Sequence, residues 1–250
     1  MQTILNNFYN HVEDVNRLIT FDEHVMAYVI NAVENLHDHL KKKYSLKEQM
    51  NGARELQMLR NIRDNDSLKP RYSLILNQAL VLLVSYFGSA VEDIFSEAVI
   101  KSLRNNSSSK LIEGDMKLTV AELLELIENP SDSSIATLFI DKKDLSFQDM
   151  QAISRAFKEY IGVEITKNKT VNNIILAQAC RHVVVHAGGQ VTARLIRQVS
   201  AAKPRDIKQG IKEGEIIQFT HQEVQEVIES MKDYLCKLVE NTQKVIASNN

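Results

Sequence analysis

The segment from Tyr72 to Leu103 is the most apolar part of the chain, and it constrains the fold more than any other feature. Its apolar side chains recur three and four positions apart, the spacing that places residues on one face of an α-helix. This set consists of Leu76, Leu80, Leu83, Phe87, Val91, Ile94 and Ala98. The positions from Ala79 to Val84 are all apolar, so the helix should be buried on nearly every side. The pattern predicts a central core helix.

The chain contains few residues that interrupt helices, with only 8 glycines and 3 prolines among 250 residues. Few interruptions favour long helices over a many-turned sheet protein. Apolar residues make up 44% and charged residues 25%, which is typical of a globular protein. We therefore predict an all-α fold in a single domain spanning residues 1–250, with an insertion at 105–145 between core helices.

Up to residue 145 the sequence predicts one long helical stretch, then a turn, a linker and a short helix followed by a break. Residues 3–62 have a helical pattern interrupted only by Gly52. A turn is predicted from Asp64 to Pro70, because Asn and Asp bend the backbone and Pro blocks a helix. The run Asn105 to Ser109 has the composition of a linker. Between 110 and 145 we expect one short helix, Val120 to Glu128, and a second break from Pro130 to Ser134.

The second half is predicted to hold four more helices and one short strand. The first helix should run from Phe147 to Ile161 with Ser146 as its cap, and the second from Val171 to about Ala187, capped by Thr170 and ended by Gly188-Gly189. A third helix is predicted from Val191 to Ala201, and a last one from Thr220 to about Ala247. Between these two we expect a strand from Glu215 to Phe219 in a small hairpin, with Gly210 and Gly214 at turns. Thr220 and Glu223 match a capping box, in which each side chain binds the other residue's backbone amide.

Charge, cysteine content and hydropathy favour a cytoplasmic protein. Cys180 and Cys236 each lie in a helical apolar pattern that suits free buried thiols, although a disulfide remains an alternative. The N-terminal segment lacks the pattern of a secretory signal. The longest apolar run is well short of the roughly 20 residues that span a bilayer. The net charge of −2 means that any nucleic-acid binding must come from a local basic patch.

The segment Arg181-His182-Val183-Val184-Val185-His186 carries the candidate chemistry. On a helix, His182 and His186 share a face, whereas Arg181 and His186 diverge by about 140°. His186 falls in the last turn, where the helix dipole stabilises a protonated imidazole. A histidine that exchanges a proton near pH 7 can activate a ribose 2′-hydroxyl, and an arginine can hold the phosphate oxygens. No metal or other cofactor is needed for this chemistry.

This segment resembles the signature of the HEPN superfamily of helical ribonucleases, which is Arg, a polar residue, a few mostly apolar positions and His. Residues 80–94 also resemble the core helix of its RiboL-PSP-HEPN branch, which is apolar with an acidic residue near the middle. The resemblance covers about residues 20–245, but only 181–186 is specific.

The resemblance implies a helical bundle that dimerises face to face, with Arg181 and His186 of both subunits lining one cleft. It also implies metal-independent RNA cleavage that leaves a 2′,3′-cyclic phosphate and a 5′-hydroxyl. By analogy, such a protein acts in phage defence or as a toxin held by an antitoxin or regulatory protein, and it needs no membrane.

Two further sets of charged residues are candidates for supporting roles. Glu92 could hold Arg181 or His182 in place, or it could form an ordinary solvent-facing pair with Asp93. The stretch 191–212 is strongly basic and could contact RNA phosphates, or it could be a solvated surface. Its candidate RNA-binding residues are Arg194, Arg197, Lys203 and Arg205, and it also contains Lys208 and Lys212 against Asp206 alone.

Three other interpretations of the motif remain open. Arg181 and His186 could be a surface charge and a structural histidine on an ordinary helix. The bundle could be a catalytically inactive, HEPN-like interaction module, although the presence of both residues argues against a decayed site. His182 and His186 also have metal-ligand spacing, but no third ligand is evident in the sequence. We find no phosphate-binding Gly-rich loop and no Ser or Cys nucleophile motif.

Overall fold

The computed structural model describes residues 1–44, 52–64, 69–105, 111 and 115–248. Within these ranges the chain is all-α, as predicted, and contains nine α-helices. They are α1 (Gln2–Tyr44), α2 (Gly52–Asp64), α3 (Lys69–Arg104), α4 (Val120–Glu128), α5 (Asp132–Lys142), α6 (Met150–Ala156), α7 (Lys169–His186), α8 (Ala193–Val199) and α9 (His221–Ser248). The predicted break from Asp64 to Pro70 falls mainly on 65–68, and the predicted linker falls mainly on 106–109. Both of these stretches lie outside the described residues.

Helix α3 is the central helix, because α1, α5, α7 and α9 all pack against it. The predicted apolar face is confirmed, since Leu80, Leu83 and Phe87 have no exposed surface. By length and composition alone, Leu74–Arg104 could cross a membrane. This segment is longer than the uninterrupted apolar run that we compared with the length of a membrane span in the sequence. Half of its most apolar window is buried by the other helices, as expected for the core helix of a bundle.

Helix α1 runs antiparallel to α3 and covers one side of it. The amino group of Met1 pairs with Glu97 near the end of α3. Further along, the His11 ring stacks on Tyr86 with centroids 4.2 Å apart. The second half of α1 contacts α2, where Arg60 pairs with Glu34. The two ends of the chain also meet, because α9 packs between α1, α3 and α7.

From residue 115 onward, where the insertion is described without gaps, it contains two helices rather than the single one predicted. Helix α4 has the predicted bounds, but α5 follows it at Asp132, inside the stretch that we expected to be a break. The reason is that Ser131 acts as an N-cap, with its hydroxyl accepting a hydrogen bond from Ser134 N at 3.1 Å. Serine and aspartate favour helix starts as much as turns. Phe139 of α5 reaches the core.

The helix predicted from Phe147 begins three residues later, at Met150. Its cap is Asp149, whose Oδ1 accepts hydrogen bonds from two backbone amides of the first turn at 2.9 Å each. Ser146, the predicted cap, accepts a bond only from Gln148 N in the preceding loop. The helix continues as a π-helical turn, Phe157–Ile161, and ends at Gly162 with φ of 85°.

The predicted hairpin at Glu215 to Phe219 does not form. Ile216 instead makes an isolated antiparallel bridge with Gln190, just after α7. Ile217 N donates to Gly189 O at 2.8 Å. Asn77 of α3 binds this segment on both sides, donating to Ile217 O at 2.8 Å and accepting from Phe219 N at 3.1 Å. The segment therefore ties the C-terminal end of α7 to the central helix.

The helices on either side of that segment form close to where the sequence predicts them. Helix α8 begins after an N-cap at Thr192 and is two residues shorter at each end than predicted. The capping box before α9 is confirmed, since Thr220 N donates to the Glu223 carboxylate at 3.0 Å and Glu223 N donates to the Thr220 hydroxyl at 3.2 Å.

Candidate functional site

Helix α7 carries the motif and is fixed along its length by buried amides. Its N-cap is Asn168, which accepts a bond from Val171 N at 2.9 Å. Thr170, the predicted cap, instead donates to Asp233 of α9 at 3.2 Å. The buried amide of Asn173 donates to Ser230 on α9 at 3.1 Å. These bonds orient α7 about its axis, so that the positions of the motif side chains are determined by the core.

The predicted end of α7 is confirmed at Gly188 and Gly189, which adopt φ values of 58° and 80°. Only glycine adopts this left-handed conformation without strain. Ala187 N and Gly189 N both donate to Val183 O, at 2.9 and 3.1 Å, so the chain folds back onto the last turn of the helix. The chain therefore leaves the helix directly after His186, and the last turn stays open to solvent.

The motif side chains divide between the core and the surface. Val183 is buried, Arg181 is half-buried, and His182 and His186 are exposed. The two imidazole rings are in contact, with centroids 4.8 Å apart and planes at 49°. The Arg181 Nε atom is buried without a hydrogen-bond partner among the described residues.

A cavity of about 420 Å³ opens beside Arg181 and His182. Its walls come from the middle of α3, the start of α6, the outer face of α7 and the outer face of α8. Its lining residues are Val84, Gln148, Asp149, Met150, Gln151, Ile175, Gln178, Ala179, Arg181, His182, Arg194 and Gln198. His186 is not among them, so within one chain the structure brings Arg181 to His182 but not to His186. Gln178 joins two of the walls, because its Oε1 accepts a bond from Met150 N at 3.0 Å.

The electrostatics of this site favour a neutral His182. Partial burial lowers the pKa of its imidazole, and the positive charges of His186, Arg194 and Arg181 lower it further. A neutral imidazole accepts a proton, so His182 is suited to act as a base beside two permanent cations. The carboxylate in the lining, Asp149, is already bound to the backbone amides that it caps.

The structure gives Glu92 no hydrogen bond or ion pair with Arg181 or His182, the two residues that we hypothesised it could hold. Its side chain is exposed on α3 and makes no hydrogen bond or ion pair with another described residue. Partial desolvation by its neighbours on the helix surface raises its pKa, as do the nearby charges of Asp93 and Asp141. Glu92 also lies eight residues, or about 12 Å along the helix, from Val84 at the cavity. Its surroundings are those of a solvent-facing acidic pair.

Of the four basic residues predicted to bind RNA, one is structural. The guanidinium of Arg205 is buried and donates to the carbonyl oxygens of Val199, Ala202 and Lys208 at 2.9 to 3.2 Å. Arg205 therefore closes the loop after α8 and is not available to phosphates. Lys208 is also engaged, since it pairs with Glu223 at 2.7 Å.

The other three predicted residues remain accessible. Arg194 lines the cavity, whereas Arg197 and Lys203 are exposed on the same segment. Sequence reasoning missed the glutamines of the lining. The sequence did indicate one of them, because Gln178 precedes Arg181 by three positions and therefore lies on the same face of the helix. Gln148, Gln151 and Gln198 come from other elements, and no local pattern connects them to the motif.

The described part of the chain provides no other reactive centre of the usual kinds. No group of three His, Cys, Asp or Glu side chains within it could hold a metal ion, so His182 and His186 lack a third ligand there. Both cysteines are free. Burial raises the pKa of the Cys180 thiol to about 12, which makes it a poor nucleophile.

Comparison with known proteins adds no relative. No family model matches the chain, and neither the curated proteins nor the solved structures compared with it gave a match. The functional proposal therefore rests on the sequence motif and on the geometry of Arg181, His182 and His186.

Proposed function

We propose that this protein is a metal-independent endoribonuclease of the HEPN type that acts as a homodimer. The observation that carries the proposal is the arrangement at the end of α7. Arg181 has a buried, unpartnered Nε and lies with His182 and Arg194 at one cavity, and the His186 ring contacts that of His182. Two cations and two imidazoles are the groups that phosphodiester cleavage by a ribose hydroxyl requires.

The chemistry follows from the charge of each group. Neutral His182 takes the proton from the 2′-hydroxyl, and the 2′-oxygen forms a bond to the adjacent phosphorus. The bond from phosphorus to the 5′-oxygen breaks, and His186 gives that oxygen a proton. Arg181 and Arg194 stabilise the charge on the remaining phosphate oxygens. The products are a 2′,3′-cyclic phosphate and a 5′-hydroxyl.

In-line geometry supports a dimeric site. The attacking and leaving oxygens lie on opposite sides of the phosphorus. His182 and His186 of one chain lie side by side, so a single chain offers both imidazoles from the same direction. A second α7 facing the first would place its histidines on the other side of the phosphate. We therefore propose that the homodimer forms across the helix that carries Arg181 and His186.

By analogy with HEPN ribonucleases, we propose a cytoplasmic role as a toxin or a phage-defence nuclease. Unrestrained RNA cleavage would harm the host, so such a role implies an antitoxin or regulatory partner.

The test is cleavage of total cellular RNA in EDTA by the wild type and by Arg181→Ala and His186→Ala. We expect cleavage by the wild type and at least a hundredfold less by each variant, since loss of a general acid or base costs about 10²- to 10⁴-fold. His39→Ala is the matched control, because His39 is an exposed histidine on α1. Equal cleavage by all four proteins would refute the proposal.

One observation favours a second candidate, a catalytically inactive HEPN-like module that regulates a partner protein. Helix α4 has no buried residue, although its sequence is largely apolar, and Val120 and Ile127 are 74% and 66% exposed. An exposed apolar helix is typical of a protein contact. This candidate predicts that Arg181→Ala keeps its effect in cells, whereas Leu124→Glu on α4 loses it.

A further inference from the structure

Glutamine amides form much of the polar lining of the cavity beside the motif. Gln148 comes from the loop before α6, Gln151 from the first turn of α6, Gln178 from α7 and Gln198 from α8. Gln178 is partly engaged through Met150 N. The side chains of the other three make no hydrogen bond with any described residue. Because each amide offers both a donor and an acceptor, this wall can recognise a flat polar edge.

A second cavity of about 260 Å³ continues from the first, further along α7. The two share Met150, Gln151, Ile175 and Gln198, so Gln151 and Gln198 lie at their junction. Met150 and Ile175 supply apolar surface there. Lys167, an exposed cation, also lines the second cavity. The groove formed by the two cavities thus has a cation in each part, and amides and apolar side chains where the parts join.

We propose that this groove binds one unpaired nucleotide of the RNA substrate and reads its base, with Gln151 and Gln198 as specificity-determining residues. The proposal rests on the proposed ribonuclease function, which places the scissile phosphate at Arg181 and His182. The base then lies toward the junction, where its faces contact the apolar surface and its edge meets the two amides. Lys167 is positioned for the phosphate of the neighbouring nucleotide.

The groove suits an unpaired base better than a duplex. Proteins recognise RNA sequence mainly in single strands, because the edges of an unpaired base are free for hydrogen bonds and its faces are free to pack on side chains. An amide can form two hydrogen bonds with one base edge, and each such pair discriminates strongly against the wrong base. Gln151 and Gln198 are exposed and make no hydrogen bond with a described residue, so their amides are accessible to the edge of a bound base.

The direct test titrates the four nucleoside 3′-monophosphates and inorganic phosphate into the full chain by calorimetry. We expect one nucleotide to bind at least tenfold more tightly than the weakest. Gln151→Ala and Gln198→Ala should each reduce that ratio by about tenfold, the scale of one lost amide–base pair. Affinity for inorganic phosphate should stay unchanged, because the amides do not contact the phosphate. Gln243→Ala, at an exposed glutamine on α9, is the matched control.

A second measurement maps the 5′-hydroxyl ends of cleaved RNA, which separates this inference from the proposed function. If the wild type prefers one base at the cut site, and this preference weakens in Gln198→Ala but not in Gln243→Ala, the result supports both the base-reading groove and the ribonuclease function. Cleavage without base preference, together with equal binding of the four nucleotides, refutes the base-reading groove but still supports the ribonuclease function. Absent cleavage with retained, glutamine-dependent nucleotide discrimination refutes the ribonuclease and supports the base-reading groove.

Discussion

Replacement of Arg205 by alanine tests whether this arginine stabilises the fold or binds RNA. The guanidinium donates four hydrogen bonds to three backbone carbonyls in the loop after α8. Each carbonyl left without a partner costs about 1 to 3 kcal/mol. Val199 O keeps a bond from Ala202 N at 3.1 Å, so two carbonyls, those of Ala202 and Lys208, lose their partner. Water can enter the space that the guanidinium leaves, so we take the low end for each of the two, which is about 2 kcal/mol in total. For a chain of this size, that loss lowers Tm by roughly 4 to 8 °C.

The assay is thermal unfolding of Arg205→Ala, followed by circular dichroism, together with RNA binding at several salt concentrations. Arg197→Ala is the control, because Arg197 is exposed on the same segment. It should change the unfolding free energy by no more than about 0.5 kcal/mol. It should also reduce the salt dependence of RNA binding, as expected when a phosphate contact is lost. A stable Arg205→Ala protein with weakened RNA binding would refute our reasoning.

Two further predictions concern the site. Because burial and nearby cations lower the pKa of His182, kcat/KM should fall with decreasing pH only below 6.5, the ordinary histidine value. Arg194→Gln should move this acidic limb to higher pH, since it removes one positive neighbour, and an unmoved limb would contradict the assignment of His182 as the base. Gly189→Ala should destabilise the protein by about 1 to 2 kcal/mol, because φ of 80° strains any L-residue while the new Cβ meets no atom closer than 3.7 Å. Gly210→Ala, at a position without positive φ, should cost less in the same denaturant titration.

The features that were predictable from the sequence are those determined by local patterns. The burial of α3 follows from its own apolar side chains, which recur three and four positions apart. The end of α7 follows from Gly188-Gly189, and the start of α9 follows from its capping box. The position of the motif in the last turn of a helix was predictable for the same reason.

The features that were not predictable depend on contacts distant in sequence. Glu215 to Phe219 has a strand pattern, but its partners are Gln190 and the amide of Asn77, which no local rule connects to it. Arg205 has the same charge as Arg197, and only the fold turns its guanidinium toward carbonyl groups. The glutamine wall joins three elements. The cavity therefore became visible only when those elements were packed together.

The central claim is that a ribose 2′-hydroxyl is the nucleophile at Arg181, His182 and His186. The most direct measurement uses a defined RNA oligonucleotide that the wild type cuts, and the same oligonucleotide with a 2′-deoxynucleotide at the cut site, both in EDTA. We predict fragments with 2′,3′-cyclic phosphate and 5′-hydroxyl ends from the first, identified by mass spectrometry, and no cut at that position in the second. A cut at the deoxynucleotide, or fragments with 5′-phosphate ends, would contradict the account.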